Sequence, residues 1–252
     1  MRFEVLTDIG RKRPVNEDSA AVFTLQEGPT LAIVADGMGG HRGGDYASST
    51  AVQLIGEKYT TLKNFKEFKE EDWIEWMKDT VNSVNSHIYN KALSEPELKG
   101  MGTTLDAVLL FADKGIITHV GDSRVYTINE AEVKQVTRDH SFVNVLLESG
   151  EITEEEAEVH PQRNWIMRAL GSEKSIDPDF YKITLDEQSY VLICTDGLSN
   201  KVSTGKIKDI VTNGDSLHEK VVELIGLANE LGGEDNISVI LAGPSASEVV
   251  KP

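Results

Sequence analysis

Short apolar runs, separated by turn-forming residues, recur along this chain, and their period distinguishes strands from helices. Residues 3–7, 20–25 and 30–36 are predicted as strands, as are residues 104–111, 115–120, 124–129 and 133–136. Residues 45–59 read as a helix with a small-residue face. Trp73, Trp76, Met77, Val81, Val84 and Ile88 recur at helical spacing and predict a second, core-facing helix. Shorter helical patterns follow at residues 142–147 and after Thr153, where Thr153 and Glu156 have capping-box spacing. Residues 183–185 and 190–194 read as a hairpin. The last long helix begins at Ser216, with Glu219 completing a capping box and Leu217, Val221, Leu224, Ile225 and Ala228 on one stripe. Residues 237–241 form a final strand, and residues 244–252 read as a frayed tail.

Strands come in blocks, with helices between the blocks. That order favours antiparallel sheets with helices packed outside them. The expected fold class is α+β, a four-layer α/β/β/α sandwich of two antiparallel sheets flanked by helices. No repeat or linker divides the chain, so residues 1–243 are expected to be one domain.

The apolar runs stop or start on acidic residues. Leu31–Val34 runs into Asp36, residues 116–120 into Asp122 and Tyr190–Cys194 into Asp196, while Asp235 precedes the run at residues 237–241. Any one Asp-Gly pair is an ordinary turn signal. In antiparallel sheets, however, a strand's end shares an edge with its neighbour's start, so these aspartates can converge. Carboxylates without Cys or His among them suit hard cations such as Mg²⁺ or Mn²⁺. Gly37 and Gly197 would let the backbone come close to an ion.

Net charge of −17, from 25 Lys+Arg against 42 Asp+Glu, argues against nucleic-acid or membrane-surface binding. An anionic substrate would need help from a metal or from placed cations such as the Arg11-Lys12-Arg13 knot. Cys194 is the one cysteine and falls in an apolar run, which fits a core thiol in a reducing, cytoplasmic compartment. The glycine-rich stretch after Asp36 fits no dinucleotide fingerprint, because Arg42 stands where glycine is needed. Gly121-Asp122-Ser123-Arg124-Val125 lacks the closing glycine of a nucleophile elbow. An aspartyl-nucleophile phosphatase would need D-x-D-x-T/V; the near match at Asp177 and Asp179 ends in Tyr181.

Taken in order, the motifs resemble the metal-dependent Ser/Thr protein phosphatases of type 2C, the PPM family, and most closely its compact bacterial members. The matching blocks are Thr7-Asp8-Ile9-Gly10 with Arg13 and Asn16-Glu17-Asp18; Val34 to His41; Gly100 to Thr104; His119 to Arg124; Asp139-His140-Ser141; Cys194 to Leu198; and Gly232 to Asn236. The resemblance implies that Asp36 bridges two ions, that Gly37 offers its carbonyl, that Asp196 and Asp235 complete one ion's ligands and that Asp18 holds water on the other. Asp122 with Asp196 would form a third site, and Arg13 would bind the phosphoryl group. The implied cofactors are Mn²⁺ or Mg²⁺, two core ions plus a third. A bridging water would attack phosphorus in line, with no covalent phosphoenzyme. Met38 stands where many eukaryotic relatives carry a histidine, so the leaving group would take its proton from metal-bound water or another group, and His41 is either a candidate general acid or a cap for its own glycine-rich loop. Expected partners are phosphoprotein substrates and a bacterial Ser/Thr kinase, met by a monomer without membrane insertion. A catalytically dead scaffold is the competing reading, but no metal carboxylate is missing.

Residues 141–170 lie between strand blocks and are long for a connection, so they are expected to form a mobile flap that helps select protein substrates. Within it, Arg163 is a candidate contact for a substrate's acidic groups.

Overall fold

The computed structural model describes residues 1–39 and 43–244. His41 and all of the expected tail but Pro244 lie outside the described residues. In chain order the elements are β1 (Arg2–Asp8), β2 (Asp18–Thr24), β3 (Thr30–Met38), α1 (Gly43–Thr60) and α2 (Glu70–Ser94). A block of strands follows: β4 (Gly102–Thr103), β5 (Leu105–Leu110), β6 (Lys114–Val120), β7 (Arg124–Ile128) and β8 (Val133–Gln135). Next come α3 (Phe142–Ser149), α4 (Glu154–Glu158), β9 (Asp179–Thr184), β10 (Tyr190–Cys194), α5 (Asp196–Ser199), α6 (Thr204–Val211), α7 (Leu217–Glu230) and β11 (Ile237–Gly243).

The strands form two antiparallel sheets. One has the order β1-β11-β10-β7-β8; the other is β2-β3-β5-β6-β9, with β4 added beside β3. Central strands read as continuous apolar runs because both of their faces are buried. Leu31, Ile33 and Ala35 of β3 join the core under α1 and α2, while Ala32 and Val34 point between the sheets. On β11, Ile237, Val239 and Leu241 pack with α6 and α7, and Ile240 and Ala242 face the intersheet core. Three apolar layers therefore separate four layers of structure, the α+β sandwich expected from the pattern. Each fully buried aliphatic side chain adds roughly 1.5–3 kcal/mol to that packing.

Helix ends follow the local signals. Thr153 and Ser216 both form complete capping boxes, with Glu156 and Glu219 respectively. One expectation needs correction. The expected hairpin does not exist: β9 pairs with β6 in one sheet, whereas β10 lies between β7 and β11 in the other. Alternation specifies which face a residue takes, not which strand lies beside it. Helix α6 was also absent from the pattern reading, although Ser203 caps it and Ile207, Ile210 and Val211 form its buried face.

Candidate metal centre

Strand register assembles the acidic site. In the β2–β3 pair, Asp18 lies directly opposite Asp36. Asp122 follows β6 and precedes β7, at a turn that crosses from one sheet to the other. Asp196 begins α5 just after β10, and Asp235 stands just before β11, β10's antiparallel neighbour. Five aspartates thus come from strand ends of both sheets, four of them at the run boundaries read from the sequence and the fifth, Asp18, opposite Asp36.

Hydroxyl groups fix their positions. The Thr195 Oγ1 donates to Asp18 Oδ2 at 2.8 Å, joining the two sheets. Thr104 Oγ1 accepts the Asp36 N–H at 2.9 Å and shares a 2.7 Å hydrogen bond with Ser123, beside Asp122. Behind Asp122, the His140 N–H donates to the Gly121 carbonyl at 2.7 Å and the Gly121 N–H donates to His140 Nδ1 at 3.1 Å. Arg124 is held by Asp139, with Nη2 to Oδ2 at 2.6 Å. Gly37 is obligatory here: a Cβ would run into the Gly44 carbonyl, and its N–H donates to the Glu17 carbonyl at 3.1 Å.

The electrostatics are those of a cation site. Burial first, and then the neighbouring aspartates, push the Asp36 carboxyl well above its usual range. Asp122 is raised by burial and then by Asp196. Burial lifts Asp18 to about 7 despite hydrogen bonds from Thr195 and Ser238, and burial with Asp235 lifts Asp196 to about 6. The Oδ1 atoms of Asp18, Asp122 and Asp196 are buried without a hydrogen-bond partner. Buried, mutually repelling, all-oxygen donors fit a hard divalent ion. Among the described residues, no group of three or more His, Cys, Asp or Glu side chains is placed so that it could hold a metal ion as it stands. Arg13 and Asn200 each occupy one oxygen, on Asp235 at 2.7 Å and on Asp196 at 3.0 Å. The Arg13–Asp235 pair is partly exposed, so it is weak enough to exchange for other partners.

Sequence reading missed Glu17. Its buried Oε1 has no hydrogen-bond partner, and its carboxylate lies against Gly44. The only signal was its place between Asn16 and Asp18. Arg163 lines a cavity of about 880 Å³ together with Asp122, Asp196 and Asn144. His41 lies outside the described residues.

Residues 10–230 match the model of a family described as protein phosphatase 2C. The chain is 41% identical over 244 residues to serine/threonine phosphatase stp of Listeria monocytogenes, covering 96% of this chain and 95% of that one. It is 40% identical over 243 residues to protein phosphatase PhpP of Streptococcus pneumoniae, with 96% of each chain covered. Serine/threonine phosphatase Stp1 from Staphylococcus aureus shares the fold with a TM-score of 0.91 at 34% identity, over 96% of this chain and 94% of the other. The S. agalactiae serine/threonine phosphatase gives a TM-score of 0.91 at 38% identity, over 97% and 100%.

Proposed function

The chain belongs to the protein phosphatase 2C family and is a metal-dependent protein serine/threonine phosphatase, and we propose that the aspartate cluster at the strand ends is its catalytic centre. The unpartnered buried oxygens of Asp18, Asp122 and Asp196 are the observation that carries this reading. Asp36 and the Gly37 carbonyl, with Asp18, Asp196 and Asp235, would hold two core ions, Mn²⁺ or Mg²⁺. Asp122 with Asp196 would hold a third. Divalent ions there supply a water activated near neutral pH and offset charge on the phosphoryl oxygens. Arg13 leaves Asp235 to bind the phosphoryl group through its bidentate fork. No side-chain nucleophile is needed. Cys194 is unsuited to that role, because it is fully buried and burial raises its thiol far above the usual value.

Residues 1–243 would act as one catalytic unit, with residues 141–170 as the flap. Helix α3 has no buried residue, and Val145, Trp165 and Met167 are exposed, so this segment gains little from core packing before its end, where Ala169 and Leu170 are buried. In this reading the substrates are phosphoserine and phosphothreonine proteins made by a Ser/Thr kinase that the enzyme opposes, as a cytoplasmic monomer. No helix among the described residues is long and apolar enough to cross a membrane.

Phosphate release from a phosphothreonine peptide on adding Mn²⁺ tests the assignment; no release at saturating Mn²⁺ would overturn it. Asp122→Ala should lower turnover strongly yet leave the two core ions countable by titration. Unchanged turnover and stoichiometry would reduce Asp122 to a turn residue. Arg163→Ala should slow phosphopeptide turnover while sparing a small aryl phosphate, because only the peptide reaches along the cavity. Equal loss on both substrates would place Arg163 in the catalytic core.

A further inference from the structure

The segment at residues 9–17 carries Arg13, yet it has no helix or strand of its own. Arg13 Nε donates to the Glu234 carbonyl at 3.3 Å and Asn16 Nδ2 to Thr7 Oγ1 at 2.8 Å, but the side chain that ties both ends of the segment together comes from another part of the chain. Asn236, 3% exposed, donates from Nδ2 to the Ile9 carbonyl at 2.9 Å and to the Val15 carbonyl at 3.0 Å. Its Oδ1 accepts the Glu17 N–H at 2.8 Å. Both amide protons and the acceptor are therefore used, on the first residue, near the end and on the last residue of the segment. Two backbone contacts reinforce this seat: the Arg11 and Lys12 N–H groups donate to the Gly233 carbonyl at 2.7 and 3.2 Å. Gly10, at φ +80°, has no room for a Cβ, which would collide with the Asp235 carbonyl.

We propose that Asn236 is a positioning residue for phosphoester binding: by closing residues 9–17 into a fixed arch over Asp235, it holds Arg13 at the mouth of the site. The inference rests on the phosphate-binding reading of Arg13. The hydrogen-bonding groups of the Asn236 side chain are all spent on the backbone of residues 9–17. Its geometry explains why an arginine that is nearly half exposed still reaches Asp235 at 2.7 Å. A free loop of this length would spread Arg13 over many positions and charge its ordering to each binding event.

The test combines kinetics with proteolysis of the intact enzyme. Asn236→Ala removes three hydrogen bonds at once and should raise KM for a phosphothreonine peptide by roughly tenfold, with a smaller change in kcat. In an Arg13→Ala background the same substitution should raise KM hardly at all, because the two act through one group. Trypsin provides a readout independent of activity. Arg13 precedes Pro14, so the cleavable bonds are those after Arg11 and Lys12, and both should be cut faster in the variant, again by roughly tenfold or more. If Asn236→Ala folds poorly, Asn236→Ser, which is too short to span both carbonyls, should shift KM and cleavage in the same direction. Unchanged trypsin cleavage would overturn the clamp. Additive KM effects in the double variant would overturn its action through Arg13. An Arg13→Ala enzyme with ordinary KM would instead overturn the reading of Arg13, and the cleavage rates, which need no substrate, tell that failure apart from a failure of the clamp.

Discussion

Asp36→Asn or Asp196→Asn should each lower Mn²⁺-dependent turnover by roughly 10³-fold. In the proposed centre both positions are anionic ligands, and each change removes a charge while keeping the shape. The loss should appear without any substrate as well. Wild-type protein should melt at a higher temperature when Mn²⁺ is added, because an ion that binds only the folded state stabilises it by mass action. Either variant should show a much smaller rise. The Asn variants themselves should be at least as stable as the wild type when metal-free, since like-charge repulsion around Asp36 and Asp196 is relieved. Full turnover and a full Mn²⁺-induced shift in either variant would sink the proposed core.

The second large effect is a pH dependence opposite to that of most acidic proteins. Asp18 rises to about 7 and Asp196 to about 6, and Asp36 and Asp122 are raised as well, in each case through burial first. Because the folded values exceed the unfolded ones, the folded state binds more protons between the two. The stability these groups contribute is complete below about pH 4 and is lost as pH climbs toward about 7, at roughly 1.4 kcal/mol per pH unit per extra proton. Glu70 works the other way, held at about 2 by hydrogen bonds from Lys114 and Lys182, but its contribution is nearly complete by about pH 5. Melting curves in chelator should therefore shift downward between about pH 5 and about pH 7. Saturating Mn²⁺ should reverse the trend, since the ion displaces the protons it competes with. A chelated protein whose melting temperature climbs steadily across that window would contradict the buried-cluster electrostatics.

The substrate side of the site depends on parts that are far apart in sequence. Arg13 and Asp235 meet in a salt bridge at 2.7 Å, although they lie at opposite ends of the chain. The cavity beside Asp122 and Asp196 is closed by Asn144, Arg163 and neighbouring residues of the segment between β8 and β9. In the proposed site the carboxylates thus sit at strand ends, whereas Arg13 and Arg163 lie on loops. Changes in specificity are expected to concentrate in those loops.

Local patterns in the sequence determined most elements, their buried faces and the acidic strand ends. Leu31, Ile33 and Ala35 alternate with Ala32 and Val34 because period two is a property of the strand itself. Thr153 with Glu156, and Ser216 with Glu219, cap their helices through bonds spanning three residues. The carboxylates at the ends of apolar runs were legible for the same reason: where a strand stops is a local event. Partner choice is not. Only the tertiary structure decided that β9 joins β6 while β10 joins β7 and β11, since a residue's face says nothing about which strand lies beside it. It also decided that Glu17 keeps a buried, unpartnered oxygen and that Asn236 holds residues 9–17. The second depends on a side chain and backbone groups more than two hundred residues apart in sequence coming within 3.0 Å, a closeness set by the antiparallel pairing of β1 with β11, which puts Asp8 opposite Ile237.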